Sequence, residues 1–184
     1  WDFLTPFKKE WGELGELINK FHLRVSFHPN QFTLFTSPRD EVTDNAVRDM
    51  EYHYRMLQAM NAHETGNINI HIGGAYGDKK ESLQRFHHNL KKLPAEIKKR
   101  MTLETDENTY DVQETLVTCE NENIPMVLDY HHYMANQGEV DLSDYLQRIF
   151  KTWDDFNAIP KVHISAPKSD QAYRSHADFV SIDF

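Results

Sequence analysis

Short apolar runs alternate along the chain with longer segments in which apolar residues recur at helical spacing. The short runs are rich in Val, Ile, Leu and Met and alternate little with polar residues, which is typical of strands buried on both faces of a parallel sheet. These runs predict strands at residues 23–27, 68–72, 101–103, 125–128, 162–164 and 179–184.

The longer segments predict amphipathic helices. In the first of them, Trp11, Leu14, Leu17, Ile18 and Phe21 fall on one face at i, i+3 and i+4 spacing. Similar spacing predicts further helices over residues 40–62, 79–100 with an interruption at Pro94, 110–121 and 141–157.

The order of strand and then helix recurs about five times without a sequence repeat or a long linker, which predicts one domain of the α/β class over residues 1–184. A (β/α)₈ TIM barrel and a doubly wound sheet both fit this order. A whole barrel typically needs about 250 residues, so the chain would supply roughly five and a half of its eight units. The chain begins at Trp1 without Met and stops in a strand-like run. We therefore expect a partial barrel domain that is truncated at both ends.

Composition narrows the functional classes. Apolar residues make up 39% of the 184 residues, which is too high for a disordered chain. The single cysteine, Cys119, excludes a disulfide framework and a cysteine-based zinc site. No apolar run is long enough to cross a membrane and no secretory signal opens the sequence, so a cytoplasmic location is predicted. The net charge of −9 argues against a general basic surface for nucleic acid, although bound metal ions could supply positive charge locally.

Ionisable side chains lie at or near the carboxyl ends of five successive predicted strands. They are His28, His71, Glu104, Asp129 and His163, and His131 and His132 follow Asp129 closely. In a parallel barrel these strand ends converge on one face, where catalytic groups gather. Imidazoles and carboxylates that meet there would repel protons and one another unless a cation joined them. Because neutral His and ionised Asp or Glu are ligands of zinc and manganese, the pattern predicts a divalent metal site.

A lone histidine in a strand is more often a packed core residue, so the prediction depends on the whole set. The remaining histidines do not share its position. His22, His53, His63, His87 and His88 lie within or near the ends of predicted helices, and we interpret them as ordinary surface or packing residues.

Six motifs, in order and covering nearly the whole chain, resemble those of the UV-damage endonuclease family. They are His28-Pro29-Asn30-Gln31-Phe32, Ile70-His71-Ile72-Gly73-Gly74, Leu103-Glu104-Thr105-Asp106-Glu107, Leu128-Asp129-Tyr130-His131-His132, Pro160-Lys161-Val162-His163-Ile164-Ser165 and Arg174-Ser175-His176-Ala177-Asp178. The resemblance implies a TIM barrel related to endonuclease IV and to xylose isomerase-like enzymes. It also implies hydrolysis of the DNA backbone on the 5′ side of ultraviolet photoproducts, leaving a 3′ hydroxyl and a 5′ phosphate, with up to three divalent metals and manganese favoured.

The resemblance also implies roles for individual residues. Glu104 resembles the carboxylate that bridges two metals, with His71 and His28 on the first metal. Asp129 and His163 resemble ligands of the second metal. His132 and His176 resemble ligands of the third. His131 receives no role. The family's remaining ligands, including a glutamate on the last strand, would lie before Trp1 and beyond Phe184.

Two further features carry expectations about DNA and about Lys161. Gln31 and Phe32 resemble a pair that wedges into the duplex at the lesion, although many relatives have Tyr where Phe32 stands.

Lys161 resembles a lysine that the family carries in carboxylated form. It lies two residues before His163, so both side chains share one face of a strand. An ammonium beside metal ions has a lowered pKa, and the neutral amine can take up CO₂. The alternative is a plain ion pair of Lys161 with Asp129 or Glu104.

The sequence leaves two other functions open. A metal-dependent sugar isomerase or epimerase on the same barrel would use similar ligands, but would need neither a third metal site at His132 and His176 nor a wedge at Gln31 and Phe32. A catalytically incomplete module could bind damaged double-stranded DNA without cutting it. No membrane and no obligatory protein partner are inferred.

Overall fold

Five parallel strands in sequential order form the sheet of the computed structural model, which describes residues 2–156 and 158–180. The strands are β1 (Ser26–Phe27), β2 (Asn67–His71), β3 (Met101–Glu104), β4 (Met126–Asp129) and β5 (Val162–His163). The helices are α1 (Lys8–Phe21), α2 (Asp40–Ala59), α3 (Lys79–Asn89), α4 (Ala95–Lys98), α5 (Val112–Glu122), α6 (Tyr130–Ala135) and α7 (Leu146–Lys151), with 3₁₀ turns at Thr5–Phe7, Leu90–Lys92 and Leu142–Asp144.

The sheet curls into half of a barrel. Four intervals of about 4.8 Å would place β1 and β5 of a flat sheet about 19 Å apart. Instead, Nζ of Lys161, next to β5, lies 2.6 Å from Oγ of Ser26 in β1. The prediction of a partial α/β barrel is therefore confirmed, and the doubly wound alternative is wrong.

The two faces of each strand differ in chemistry. Ile68 and Ile70 of β2 and Leu103 of β3 belong to the main hydrophobic core shared with the helices. Their sequence neighbours Asn69 and Thr102 are buried as well, but they hydrogen-bond to each other on the opposite face. The apolar residues thus hold the helical layer on the sheet, while the concave face is free to carry polar groups.

Side-chain caps explain where several helices begin. The Asp78 carboxylate accepts from the backbone of Glu81 at the start of α3. Asp111 and Glu114 form a reciprocal capping box on α5, which stabilises a helix start by satisfying two free backbone donors. The predicted helix over 79–100 is interrupted at Leu93 and Pro94, as the proline indicates.

Two predicted elements are much shorter in the structure. The strand predicted at 23–27 is reduced to Ser26 and Phe27, and the Val25 carbonyl just before them accepts from the Asn67 backbone. The helix predicted over 141–157 is reduced to a 3₁₀ turn and α7, which ends where the chain turns and the Thr152 hydroxyl accepts from the Met126 backbone of β4. The turn lets the Trp153 indole donate to the Met126 carbonyl at 2.6 Å.

The structure describes only part of the strand predicted at the C-terminal end of the chain. Residue 157 and most of the strand predicted at 179–184 lie outside the described residues, and Phe179 and Val180 are not in a strand. Among the described residues, none of the helices combines the length and apolar character needed to cross a bilayer.

Candidate metal centre at the carboxyl end of the sheet

The sheet register brings the predicted ligands to one rim. His71 and Glu104 are the last residues of β2 and β3 and are register partners. Asp129 and His163 end β4 and β5 and are partners in the same way. His28 follows β1 directly. Because parallel strands end on the same edge, the sheet itself sets the spacing of these five side chains.

Glu104 lies at the centre of the rim and is 2% exposed. Its Oε1 is 2.8 Å from Nδ1 of His163, and its Oε2 is 3.2 Å from Nε2 of His28 and accepts from the amide of Asn69. Burial by itself would raise the pKa of Glu104, but the hydrogen bonds from His163 and His28 outweigh it and hold the pKa well below the usual range. The side chain is therefore an ionised carboxylate in the folded protein.

The contact between His28 and Glu104 needs a cation. Nδ1 of His28 lies 3.0 Å from the Pro29 carbonyl, which can only accept, so this nitrogen carries a proton. A neutral His28 would then point its Nε2 lone pair at Glu104 Oε2. Either a second proton or a metal ion must occupy the gap. Without a metal, the bond to Glu104 raises the pKa of His28.

His71 completes this first group. Its Nδ1 is buried and has no hydrogen-bond partner within the described structure. Burial lowers the pKa of His71, so the ring is neutral and offers a lone pair. One ligand atom each of His28, His71 and Glu104 lie within 4.8 Å of one another.

A second and a third group continue along the rim. Glu104, Asp129 and His163 form the second, and Asp129, His132 and His176 form the third, again with all ligand atoms within 4.8 Å. Asp129 is the N-cap of α6, where its Oδ1 accepts from the His132 backbone at 2.9 Å. The sequence did not predict α6, a short helix that turns His132 toward the cleft.

The Nε2 atoms of His132 and His176 face each other. Nδ1 of His132 is 2.8 Å from the Thr105 carbonyl and must donate there, which leaves a lone pair on Nε2. Nε2 of His131 is 2.6 Å from the Tyr173 carbonyl, so neutral His131 presents Nδ1 as an acceptor to Nδ1 of His176 at 3.3 Å. The Ser165 hydroxyl lies 2.5 Å from the same Nδ1 of His176 and can accept from it as well. With its proton on Nδ1, His176 has a free lone pair on Nε2.

These two lone pairs are only 3.0 Å apart. Burial, and secondarily His132, lower the pKa of His176, so the ring is neutral, and its one proton bridges the two rings only in the other tautomer, in which the Ser165 hydroxyl donates to Nδ1. A divalent cation relieves both the repulsion here and the mismatch at His28 and Glu104. The donor set of imidazole and carboxylate suits zinc or manganese, so the residues fit such ions.

Lys161 lies deeper in the concave face than the rim. Its ammonium donates to Ser26 Oγ at 2.6 Å and is 3.5 Å from Asn67 Oδ1. Burial lowers its pKa, and Arg24 lowers it further. Between described residues, no ion pair joins Lys161 to Asp129 or Glu104, so the alternative of a plain ion pair is not what the structure contains. Carboxylation of Lys161 remains a prediction.

Gln31 and Phe32 form a turn beside the rim and are both exposed, Phe32 by 69%. The Asn30 side chain accepts from the Phe32 backbone at 2.8 Å, and the Thr33 hydroxyl bonds to Asp49 on α2. These two hydrogen bonds hold the turn in place, and the turn exposes the Phe32 ring to solvent. Contact of this ring with DNA stays a prediction.

Several residues of the site carried no role in the sequence prediction, among them Ser165 and His131 beside His176. Asn69 donates to Glu104, Glu107 has an oxygen 3.8 Å from Nε2 of His132, and Arg174 lines the cleft with the ligands. The cleft has a volume of about 460 Å³. Asn69 lies two residues before His71, and alternate residues of a strand point to the same face. This spacing could have predicted that the two side chains share a face.

Comparison with known proteins identifies the family. The family model described as UV-endonuclease UvdE matches residues 1–184. The chain belongs to the UV-endonuclease UvdE family. UV DNA damage endonucleases of Bacillus velezensis and Bacillus pumilus are 58% and 57% identical to it over its whole length. The chain spans 58% of the length of each of these two relatives.

Solved structures place the chain among TIM-barrel folds. The crystal structure of SacUVDE matches with a TM-score of 0.88 and 30% identity over 96% of this chain and 60% of that one. D-psicose 3-epimerase from Clostridium cellulolyticum H10 matches with a TM-score of 0.65 and 15% identity, over 89% of this chain and 60% of that one. The second likeness concerns the fold alone.

Proposed function

We propose that the complete gene product is a metal-dependent DNA repair endonuclease. It hydrolyses the phosphodiester on the 5′ side of ultraviolet photoproducts and leaves a 3′ hydroxyl and a 5′ phosphate. Its substrate is damaged double-stranded DNA, it works in the cytoplasm, and it needs neither a membrane nor a protein partner. Membership of the UvdE family supports this activity.

The observation that carries the proposal is the sharing of carboxylates between ligand groups. Glu104 belongs to the first and second groups, and Asp129 to the second and third. Shared carboxylates would hold up to three ions, manganese being favoured, in one contiguous row. Ions bound there would supply positive charge for the phosphodiester oxygens and activate water.

The chain's own residues supply the remaining functions in this proposal. His71 and Glu104 hold the reacting end of the row, and Lys161, as a carbamate, adds negative charge below it. Arg174 stands in the cleft wall, where a guanidinium suits a phosphate oxygen. The row and Arg174 together counter the net charge of −9 at the one place where DNA must approach.

Gln31 and Phe32 recognise the lesion by its shape. Photoproducts weaken pairing and stacking, so kinking or flipping costs less at the damaged step. The exposed phenyl ring of Phe32 fills the space left in the stack, where stacking contributes about 1–3 kcal/mol per base. Selection by deformability explains tolerance for different lesions.

A nicking assay tests the proposal. The complete gene product is incubated with an end-labelled duplex that carries one photoproduct, with Mn²⁺ or with EDTA, beside the same duplex without damage. We expect one cut 5′ to the lesion, bearing a 3′ hydroxyl, only with the metal and only on damaged DNA. Binding without cleavage would favour a damage-binding module, and epimerisation of a ketohexose without nicking would favour the sugar enzyme.

A further inference from the structure

Polar side chains line the concave face of β2 and β3 below the metal centre. A barrel interior is usually filled by branched apolar side chains. Here Asn67, Asn69 and Thr102 occupy it, with 4%, 1% and 0% of their surface exposed. Buried polar groups destabilise a fold unless they are hydrogen-bonded, so their partners need an explanation.

These three residues form a continuous chain of hydrogen bonds between Lys161 and Glu104. The Lys161 ammonium lies 3.5 Å from Asn67 Oδ1, and Asn67 Nδ2 donates to Thr102 Oγ1 at 2.9 Å. The Thr102 hydroxyl donates to Asn69 Oδ1 at 2.8 Å, and Asn69 Nδ2 donates to Glu104 Oε2.

The chain of bonds has one direction, and the ionised Glu104 carboxylate, which can only accept, sets it. A hydroxyl has one proton, and here it goes to Asn69 Oδ1 while an oxygen lone pair accepts from Asn67. This arrangement fixes both amides, so that Asn69 must turn its NH₂ group toward Glu104. If the hydroxyl were absent, Asn69 Oδ1 would lose its donor, and within this chain of bonds only the bond to Glu104 itself would hold the amide.

We propose that Asn69, oriented by Thr102 and Asn67, is a positioning residue that fixes Oε2 of Glu104 for metal bridging. This inference rests on the proposed metal centre. A neutral amide suits the task because it restrains one lone pair of the carboxylate without cancelling its charge. A lysine or arginine in the same place would compete with the metal ions.

Thr102→Val tests the orientation, since it keeps the shape of the side chain and removes only the hydroxyl. In the complete gene product, we expect Mn²⁺ affinity, measured by calorimetric titration, to fall by about 10- to 100-fold, as for other residues that orient metal ligands. Thr102→Ser keeps the hydroxyl and should stay within about threefold of wild type.

Thr118→Val is the matched control, because Thr118 is also buried and its hydroxyl donates to the Glu114 carbonyl away from the centre. It should leave Mn²⁺ affinity unchanged. If Thr102→Val fails to fold, Asn69→Leu, of similar volume, replaces it with the same expected loss. Folding is checked by near-ultraviolet circular dichroism and thermal unfolding of the metal-free proteins.

The outcomes separate three cases. A purely structural role would lower the unfolding temperature of metal-free Thr102→Val but leave Mn²⁺ affinity per folded molecule at the wild-type value, and the positioning role would be wrong. Equal losses in Thr102→Ser and Thr102→Val would also overturn it. If wild-type protein binds no Mn²⁺, the metal centre itself is wrong and the positioning role falls with it.

Discussion

Two glutamates with histidine neighbours lie in different regions of the fold and have different partners. Glu122 ends α5 in the outer helical layer, where Lys98 Nζ and His87 Nδ1 each lie 2.5 Å from one of its oxygens. Glu104 lies on the rim of the sheet among imidazoles and an amide. In both glutamates, burial alone would raise the pKa of the carboxyl group, but hydrogen bonds lower it below its usual value.

The difference lies in the charge of the partners. Lysine is a permanent cation at neutral pH, so the negative charge of Glu122 is compensated within the protein. Glu104 is surrounded by groups that are neutral or share a proton, and its charge stays available to an added cation. A histidine beside a glutamate therefore indicates a metal site only where no lysine or arginine already satisfies the carboxylate.

The largest expected effect comes from Glu104→Gln. In the complete gene product, cleavage of photoproduct-containing duplex should fall by more than about 100-fold, the upper end of what changing an outer-sphere partner costs, because one side chain serves two ligand groups. The measurement is the nicking rate at saturating DNA and Mn²⁺. Retention of more than a few per cent of the wild-type rate, with the metals still bound, would remove Glu104 from its bridging role.

The wedge residues should give the next largest effect. Replacing both Gln31 and Phe32 by alanine should weaken binding of irradiated duplex by about tenfold, since stacking is lost, and slow turnover at saturating DNA much less. Affinity and turnover are measured separately. Phe150→Ala is the control, because Phe150 is an exposed aromatic residue on α7 in the outer layer. Normal affinity of the double variant for irradiated DNA would contradict the wedge.

A smaller, pH-dependent effect should separate the rim from the outer layer in metal-free protein. The pKa of His28 is raised by Glu104, so its protonated ring stabilises the folded state fully below about pH 6.5, and this stabilisation is lost as pH rises through the raised pKa. The difference in unfolding temperature between wild type and His28→Asn should therefore shrink from pH 5.5 to pH 8.5.

The same comparison in a Glu104→Gln background provides the check on this effect. The two proteins compared are then the Glu104→Gln variant and the double variant that also carries His28→Asn. With the carboxylate neutralised, the difference between their unfolding temperatures should vary much less with pH in that range, because Glu104 is the main cause of the raised pKa. A pH dependence as large as that in the wild-type background would show that another group raises the pKa of His28.

The smallest effect is expected from Glu122→Gln. Loss of the ion pair with Lys98 should lower the free energy of unfolding by about 1 kcal/mol, since the pair is partly exposed. Nicking of damaged DNA should be unchanged. A loss of cleavage as large as that of Glu104→Gln would erase the distinction between the two glutamates.

The sequence could place the ligands because strand ends are set by local pattern. His71, Glu104 and Asp129 each end a strand of apolar residues, so a parallel sheet had to bring them together. Asn69 and Thr102 were overlooked because short polar side chains inside a strand look like interruptions of the apolar run. Their value depends on the register of β2 with β3, which pairs Asn69 with Thr102 and which no local pattern contains.

The helix α6 and the turn after α7 were missed for a related reason. The segment Tyr130–Ala135 is too short for periodicity to show, and its start depends on the Asp129 cap, a residue that the sequence had assigned to metal alone. The helix predicted over 141–157 ends early because Thr152 and Trp153 bond to β4, a contact across the fold. Propensity yields to tertiary contacts at such points.

Anomalous diffraction at the manganese edge, from crystals of the complete gene product grown with Mn²⁺, tests the central claim most directly. The account predicts a peak between Glu104 and the imidazoles of His28 and His71, and a second peak between Glu104, Asp129 and His163. Density without these peaks, with His28 bonded directly to the Glu104 carboxylate in the presence of millimolar Mn²⁺, would contradict a metal centre bridged by Glu104.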